Sequence, residues 1–250
     1  MAINQIKDTI NSNKKGMKID KKITSQRANW KFNKKVVNNF EDHINSSVPF
    51  YKISHDLSLK MSDFFIKNNS KYYDLGCSKG NLVKDIFLRH KNKKIDCTGI
   101  DESRDMILAA KKKNKLKQIK FYQKDLTDYK YSKCDYITSL YTLQFVQPKF
   151  RQKLIDKLYN SLNWGGGLIL FEKIRGNDAR FQDILNFSYF DFKTEQKLSP
   201  LEILNKEISL RSVLEPYTIK ANLDFLSRAG FKDIMPISQY LCFVGFLAIK

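Results

Sequence analysis

The chain has 250 residues and little of several features that would narrow its function at once. Its four cysteines include no Cys-x-x-Cys pair and it has three histidines, so we expect no zinc site and no other metal centre. No apolar run approaches the ~20 residues that a transmembrane helix needs, and the first residues lack the apolar segment of a signal peptide. These absences predict a cytoplasmic protein that does not enter membranes.

Arginine is also scarce, with eight arginines against 37 lysines, although the formal net charge is +19. Such a charge could attract tRNA or another RNA through the basic N-terminal residues and the Lys-rich stretch 111–124. Nucleic-acid sites, however, favour the planar and bidentate donors of arginine. Since the lysines run through the whole chain, a solvated lysine coat is the favoured interpretation and an RNA partner is the alternative.

Two of the ten glycines fall in one turn, Asp74-Leu-Gly76-Cys-Ser-Lys-Gly80, which follows a short apolar strand and precedes a helical pattern. Gly76 and Gly80 can adopt backbone angles closed to other residues, and they let a ligand approach the main chain beside the start of a helix. The spacing is neither the Walker pattern nor the dinucleotide fingerprint. A second strand ends in Asp101, at the place where folds of this kind bind ribose hydroxyls.

The first part of the chain is polar and basic. Residues 1–35 carry ten basic and two acidic side chains, and we predict that residues 1–28 form a poorly ordered tail. Residues 29–250 are predicted to form one domain, which opens with two cap helices, the first over 30–40. The predicted buried face of the second cap helix carries Ile53, Leu57, Met61, Phe64 and Phe65.

Strands and helices then alternate, which predicts an α/β fold with a parallel sheet and helices on both faces. After the fifth strand, residues 176–228 interrupt the alternation with a helical pattern and predict a lid at the carboxyl edge of the sheet. Two apolar stretches, 231–238 and 241–249, close the chain as a predicted antiparallel pair. The other predicted strands cover 71–75, 94–100, 119–123, 135–140 and 168–172, with helices at 81–90, 104–113 and 149–162.

Together these pieces resemble the class I S-adenosyl-L-methionine (SAM) methyltransferases, whose Rossmann-like seven-stranded sheet ends in such an antiparallel pair. Within that superfamily the chain resembles the carboxy-SAM synthases. The Asp-x-Gly turn is shared by the whole superfamily, whereas the Thr-Leu-Gln-Phe, Glu-Lys and Asp-Phe-Lys pieces are more specific. The similar pieces lie between about residue 30 and residue 249 and include Ser47–Tyr51, Tyr73–Gly80, Thr142–Phe145, Glu172–Lys173 and Asp191–Lys193.

The resemblance implies SAM as the cofactor, with carboxy-SAM as the alternative, and it gives roles to particular residues. Gly76 would lie against the methionine part, Asp101 would accept hydrogen bonds from the ribose, and Asp125 would accept from the adenine amino group. Tyr51 would reach over the sulfonium, which favours oxygen atoms and aromatic faces. The full predicted cofactor set is Tyr51, Asp74, Gly76, Gly80, Asp101, Glu102, Asp125, Leu126 and Leu140.

Two positions depart from the carboxy-SAM synthases. Those enzymes hold the extra carboxylate of their product with an arginine in the segment after Leu-Glu-Ile, and the aligned residue here is Glu207. An unpaired carboxylate facing another in a closed site costs several kcal/mol. Arg211, about one helical turn later, could substitute if the segment shifts. The second departure is Leu140, at a position where the family carries asparagine.

Because the cofactor residues are kept while carboxylate recognition is altered, the sequence favours a methyltransferase that uses ordinary SAM. Its acceptor would be a small molecule enclosed by Tyr51, Tyr141 and residues 176–228. Glu207 would face a cationic or amine group on that acceptor. The protein would mainly align the acceptor with the methyl group and exclude water. The candidate catalytic residues are therefore Tyr51, Tyr141 and Glu207.

Two alternatives stay open. The first is a genuine carboxy-SAM synthase that takes a carboxyl group from prephenate and serves tRNA wobble-uridine modification. The second is an RNA methyltransferase or RNA-binding relative, although Ser139–Thr142 lacks the Asn-Pro-Pro-aromatic signature of base methylation. The resemblance also implies a homodimer, with residues 200–220 as the candidate contact.

Overall fold

A central sheet flanked by helices organises the part of the chain that the computed structural model describes, residues 17–20 and 23–250. A short hairpin comes first, with strands β1 (Met17–Ile19) and β2 (Ile23–Ser25). Helices α1 (Lys34–Asn38), α2 (Phe40–Ser47) and α3 (Tyr51–Phe65) follow it. The remaining elements are β3 (Lys71–Leu75), α4 (Asn81–Arg89), β4 (Asp96–Asp101), α5 (Arg104–Lys113), β5 (Ile119–Gln123), β6 (Cys134–Leu140), a 3-10 turn (Leu143–Phe145), α6 (Pro148–Ser161), β7 (Leu162–Lys173), α7 (Ala179–Glu195), α8 (Pro200–Leu210), α9 (Ile219–Ala229), β8 (Asp233–Tyr240) and β9 (Phe243–Ile249).

Seven strands form the main sheet in the order β5-β4-β3-β6-β7-β9-β8. Neighbours from β5 to β7 pair in parallel, whereas β9 runs antiparallel to both β7 and β8. The predicted α/β sheet with a closing antiparallel pair is confirmed. The chain reverses its direction of travel across the sheet between β3 and β6, and open α/β sheets bind ligands at the carboxyl ends of strands beside such a point.

Strands covered on both faces need partners for any polar group that they carry inward. Tyr72 of β3 and Tyr136 of β6 are fully buried. The Tyr72 hydroxyl lies 2.6 Å from Thr138 Oγ1, and the Tyr136 hydroxyl donates to the Ser58 carbonyl at 2.6 Å. These bonds tie β3 to β6 and β6 to helix α3.

Helix α3 forms where the sequence predicts it, and its buried face is partly as predicted: Phe65 is buried, and Leu57 and Met61 pack partly buried against the core. Ile53 is 52% exposed and Phe64 is 79% exposed. Three serines that the sequence did not predict are buried beside Phe65. Their hydroxyls donate to carbonyls three or four residues back in the helix, so burying them leaves no donor unpaired. Small side chains also let the helix lie close to β6 and β7. These serines are Ser54, Ser58 and Ser62.

The predicted tail is wrong for the part that the structure describes. Residues 1–16 and 21–22 lie outside the described residues, but β1 and β2 form an antiparallel hairpin. Ile19 and Ile23 are buried in a second core beside Trp30 and Val37. The sequence did not suggest a core segment here, because its few apolar residues are separated by many lysines. Met17 and Ile19 alternate along β1, and Ile23 begins β2 after the turn, so all three side chains can lie on the buried face of the hairpin. The helix predicted over 30–40 is also shorter than expected, because α1 covers only Lys34–Asn38 and a separate helix, α2, begins at Phe40.

The predicted helical insertion after the fifth strand is confirmed, with one refinement. Helices α7 and α8 are additions to the sheet, and α8 packs against the hairpin strand β1. Helix α9 packs on α6 and β8, so it belongs to the helices that cover the sheet. The insertion that can contact a ligand is therefore α7 and α8.

Candidate functional site

A cavity of about 740 Å³ opens at the carboxyl ends of β3, β4 and β6 and extends under α2, α7 and α8. Pockets for drug-sized ligands lie in this range of volume. Of the residues predicted from the sequence, all but Gly80 line it. They are Tyr51, Asp74, Gly76, Asp101, Glu102, Asp125, Leu126, Leu140, Tyr141 and Glu207.

The turn after β3 is held by its backbone. Gly76 and Gly80 have φ angles of 68° and 71°, in the left-handed region that favours glycine. The amide of Gly76 donates to the Ile100 carbonyl at 2.8 Å, which joins the turn to β4. A side chain at Gly76 would overlap Thr142, and one at Gly80 would overlap Phe121. Gly80 thus allows the start of α4 to pack closely, and it does not line the cavity.

Asp101 stands at the end of β4 with its carboxylate fixed in position. Its two oxygens accept from the Ser78 amide at 2.9 Å and the Ser103 amide at 2.8 Å. Burial raises the pKa of Asp101 to about 6 despite these bonds. Each oxygen keeps a further lone pair, so the carboxylate fits the two hydroxyls of a ribose. Glu102 is exposed beside it on the same wall.

Asp125 and Leu126, the predicted adenine contacts, lie together on the cavity wall. One oxygen of Asp125 accepts from both the amide and the hydroxyl of Thr127, each at 2.7 Å, which orients the carboxylate. The second oxygen is then directed to other donors, such as an exocyclic amine. Leu126 is buried and offers an apolar face. The pair fits a purine with an amino group.

Asp74 adds a second buried carboxylate. Thr138 donates its hydroxyl to Asp74 Oδ1 at 2.8 Å. Burial, with a smaller contribution from the charge of Asp101, raises the pKa of Asp74 to about 7. Neither carboxylate has an ion-pair partner among the described residues. A cationic ligand would stabilise both charges, so this end of the cavity suits a sulfonium or an ammonium group.

Two tyrosines and one histidine form the middle of the cavity. The ring centroids of Tyr51 and Tyr141 are 6.0 Å apart, and Leu140 lines the wall beside them. Burial raises the pKa of Tyr141 to about 12 and that of Tyr51 further, so both phenols stay protonated at neutral pH. The ring centroid of His55 lies 4.6 Å from that of Tyr51, and burial lowers the pKa of His55 to about 4, so its imidazole is neutral at pH 7. The phenols can bind or orient a ligand, but they are not bases.

The loop after β6 is held by a buried acid. Glu172 accepts from the amides of Leu143 and Gln144 at 2.9 and 2.8 Å. Gln144 in turn accepts from the Lys173 amide at 2.8 Å. The Thr-Leu-Gln-Phe and Glu-Lys pieces of the sequence are thus joined by hydrogen bonds in both directions, and each fixes the position of the other. This network also supports Tyr141, whose φ of 56° is strained for a residue other than glycine.

Three lysines, which we call the basic wall, line the far end of the cavity: Lys173, Lys193 and Lys206. Lys193 Nζ donates to Glu207 Oε1 at 2.9 Å. Lys206 donates to Ser47 and lies 3.8 Å from Asp20 of the hairpin. Burial lowers the pKa of Lys206 to about 8 and also lowers that of Lys173. The wall therefore concentrates positive charge where water is scarce.

Sequence reasoning missed the basic wall. Each of its lysines is one among 37, and the only available signal was that Lys173 and Lys193 end two of the three family-specific pieces, Glu-Lys and Asp-Phe-Lys. Glu207 does line the cavity, but its side chain is 57% exposed and pairs with Lys193. Arg211 is exposed and does not line the cavity, so the suggestion that it replaces the missing arginine is not supported.

Among the described residues, no three His, Cys, Asp or Glu side chains come together in a way that could hold a metal ion. No helix in the same part of the chain is long and apolar enough to cross a bilayer.

Comparison with known proteins agrees with this geometry. A family profile described as a methyltransferase domain matches residues 73–166. A carboxy-S-adenosyl-L-methionine synthase from Staphylococcus epidermidis is 39% identical over 225 residues, 88% of this chain and 97% of that protein. One from Campylobacter jejuni is 38% identical over 228 residues, 90% of this chain and 96% of that protein. An O-methyltransferase family protein from Burkholderia thailandensis shares the fold, with a TM-score of 0.62 at 15% identity over 86% of this chain and 60% of that one.

Proposed function

Because this chain belongs to the family of carboxy-S-adenosyl-L-methionine synthases, we propose that it transfers a carboxyl group to the methyl carbon of SAM. The family also makes the protein a SAM-dependent enzyme. The proposal reverses the preference for methyl transfer that Glu207 and Leu140 suggested in the sequence. We further propose prephenate as the carboxyl donor and wobble-uridine modification of tRNA as the use of the product.

The observation that carries the proposal is the opposite charge of the two ends of the cavity. Asp74 and Asp101 stand at one end and the basic wall at the other. A sulfonium suits the acidic end, and an anionic co-substrate suits the basic end. The sequence suggested a cationic or amine acceptor beside Glu207. Such an acceptor would also face the three lysines of the basic wall, whose positive charge would repel it.

The proposed reaction balances without an oxidant or a reductant. The donor ring loses its carboxylate as carbon dioxide and its hydroxyl as hydroxide, and so becomes aromatic. The SAM methyl carbon loses one proton and bonds to the carbon dioxide. The proton and hydroxide form water, which leaves carboxy-SAM, phenylpyruvate and water as products. The chain's own contribution is to hold both molecules in contact and to exclude bulk water.

Product analysis tests the proposal. Purified protein is incubated with SAM and prephenate, and the mixture is analysed by mass spectrometry. We expect carboxy-SAM and phenylpyruvate in equal amounts, and neither without prephenate. If SAM binds but no carboxy-SAM forms, the proposed reaction is wrong.

Methyl transfer to a small molecule is the second candidate, because Glu207 does line the cavity. Its pairing with Lys193 argues against it, since the carboxylate that would attract a cationic acceptor is already neutralised. Formation of S-adenosylhomocysteine with an added amine, but not with prephenate, would support this candidate.

We also propose a homodimer, as the family resemblance implies. Its support is a set of exposed apolar side chains on the two inserted helices, which water covers poorly. Light scattering on the purified protein should give twice the mass of one chain, and Leu204→Glu should shift it toward the monomer. The exposed side chains are Phe181, Ile184 and Phe187 on α7, and Leu201 and Leu204 on α8.

A further inference from the structure

We propose that Lys193 and Lys173 form the subsite that holds a carboxylate of the co-substrate, and that Glu207 is a built-in competitor for it. This inference rests on the proposed function, because it names the groups that would recognise the carboxyl donor. It also accounts for an enzyme of this family that carries an acid where its relatives carry an arginine.

One aromatic ring holds both ammonium groups. Lys193 Nζ lies 4.2 Å and Lys173 Nζ 4.5 Å from the ring centroid of Tyr189. The Tyr189 hydroxyl donates to the Ser47 carbonyl at 2.6 Å, which fixes the ring between α7 and α2. A ring with two cations near it is a rigid platform, and a cation–π contact leaves the N–H donors of each ammonium directed to other acceptors.

Within the described residues, the basic wall has three lysines but only two acids within ion-pair distance, Glu207 and Asp20. Asp20 pairs with His43, and among the described lysines only Lys206 lies within 4 Å of it. Lys193 forms an ion pair with Glu207, whereas Lys173 forms no ion pair within the described part of the chain. Lys173 is half-buried, and a cation partly withdrawn from water without a counter-ion is costly. An anionic ligand between Lys173 and Lys193 would supply the missing charge.

Glu207 can leave the subsite at little cost. Its side chain is 57% exposed, whereas that of Lys193 is 3% exposed. An incoming carboxylate would take over the pairing with Lys193 as Glu207 turns into solvent, so the exchange replaces one carboxylate by another and leaves no buried cation without a counter-ion. A neutral or cationic molecule offers no such exchange, so the pair selects for carboxylates.

The test measures binding separately from catalysis. Prephenate is titrated into protein saturated with S-adenosylhomocysteine, and the dissociation constant is obtained by calorimetry. We expect Lys193→Met and Lys173→Met to weaken prephenate binding at least about tenfold, because each removes a desolvated charge partner. Glu207→Gln should strengthen it about two- to fivefold, because it removes the competitor.

Matched controls keep the charge changes but avoid the cavity. Lys153→Met on α6 and Glu195→Gln at the end of α7 alter exposed residues that do not line it, and both should bind prephenate as the unaltered protein does. Should a lysine variant fail to fold, Glu207→Gln still tests the inference, because it changes a largely exposed side chain.

Prephenate affinities of Glu207→Gln and the lysine variants equal to those of the controls would overturn the inference. Carboxy-SAM formation by the same proteins separates it from the proposed function. If the lysines bind prephenate and no carboxy-SAM forms, the subsite stands and the reaction fails. If carboxy-SAM forms with unchanged prephenate affinity in every variant, the reaction stands and the subsite fails.

Discussion

Asp101 ends the second strand of the main sheet, and two backbone amides hold its carboxylate at the cavity wall. Each oxygen keeps a lone pair that can accept a hydrogen bond from a ribose hydroxyl, the contact that the sequence predicted. Its role toward SAM stays a prediction. The raised pKa values of Asp74 and Asp101 could not be predicted, because they depend on burial by elements distant in sequence.

We expect Asp101→Ala to weaken SAM binding about tenfold to a hundredfold, since a charged acceptor of hydrogen bonds contributes about 1.5–3 kcal/mol. Calorimetric titration with SAM measures the loss. Asp96→Asn is the control, because Asp96 begins the same strand, pairs with Lys120 and lies outside the cavity lining. Equal SAM affinity in both variants would exclude Asp101 from the ribose site.

Asp74→Asn should stabilise the ligand-free protein at pH 8 and do so less at pH 5. The pKa of Asp74 is raised to about 7, so the carboxyl is neutral in the folded protein at pH 5 and charged at pH 8. Between the unfolded pKa near 3.8 and the folded value, stability falls as pH rises. The gain in the free energy of unfolding should be larger at pH 8 by up to about 3 kcal/mol. Urea denaturation at the two pH values checks this, and an equal gain at both would contradict it.

At the scale of elements, local patterns predicted strand positions well. The strands predicted at 71–75 and 119–123 have those bounds in the structure. Alternation and apolar runs are local properties, so they survive without knowledge of the fold. The buried face of α3 was not predictable in the same way. Ser58 can be buried because its hydroxyl donates to a carbonyl of its own helix and because the Tyr136 hydroxyl of β6 donates to the Ser58 carbonyl. The second of these bonds depends on a residue distant in sequence.

The serine face of α3 gives an element-scale prediction. Ser58→Leu should lower the free energy of unfolding by about 1–3 kcal/mol, because a larger side chain must enter a fully buried position. Ile53→Ser should change it by less than about 0.5 kcal/mol, because Ile53 is largely exposed. Urea denaturation of both variants measures the difference. A larger loss for Ile53→Ser would restore the face that the sequence predicted.

At the scale of the whole molecule, the two ends of the cavity respond to pH in opposite directions. Raising pH through about 6 to 7 ionises Asp101 and Asp74 and should strengthen binding of cationic SAM. Raising it through about 8 removes the proton of Lys206 and should weaken binding of an anionic co-substrate. We therefore expect a bell-shaped profile of kcat/KM between these values. In Lys206→Met, the fall of kcat/KM above about pH 8 should disappear. If the fall is unchanged in this variant, it is not caused by Lys206.

The net charge of +19 also belongs to this scale. If the lysines form a solvated coat, binding of a tRNA transcript should be weak at every salt concentration tested. A logarithmic affinity that falls steeply with the logarithm of salt concentration would instead support an RNA partner. Electrophoretic mobility shifts across a salt series measure this response.

The hairpin has a practical consequence for anyone who shortens the chain for expression. Composition makes residue 29 an attractive starting point, yet Ile19 and Ile23 fill a core and Asp20 approaches Lys206 behind the cavity. Trimming to residue 29 would open a hole there and leave an ammonium group without its neighbouring acid. If a truncated protein is folded but inactive, its inactivity would therefore reflect the loss of the hairpin and would not identify the residues that carry out the reaction.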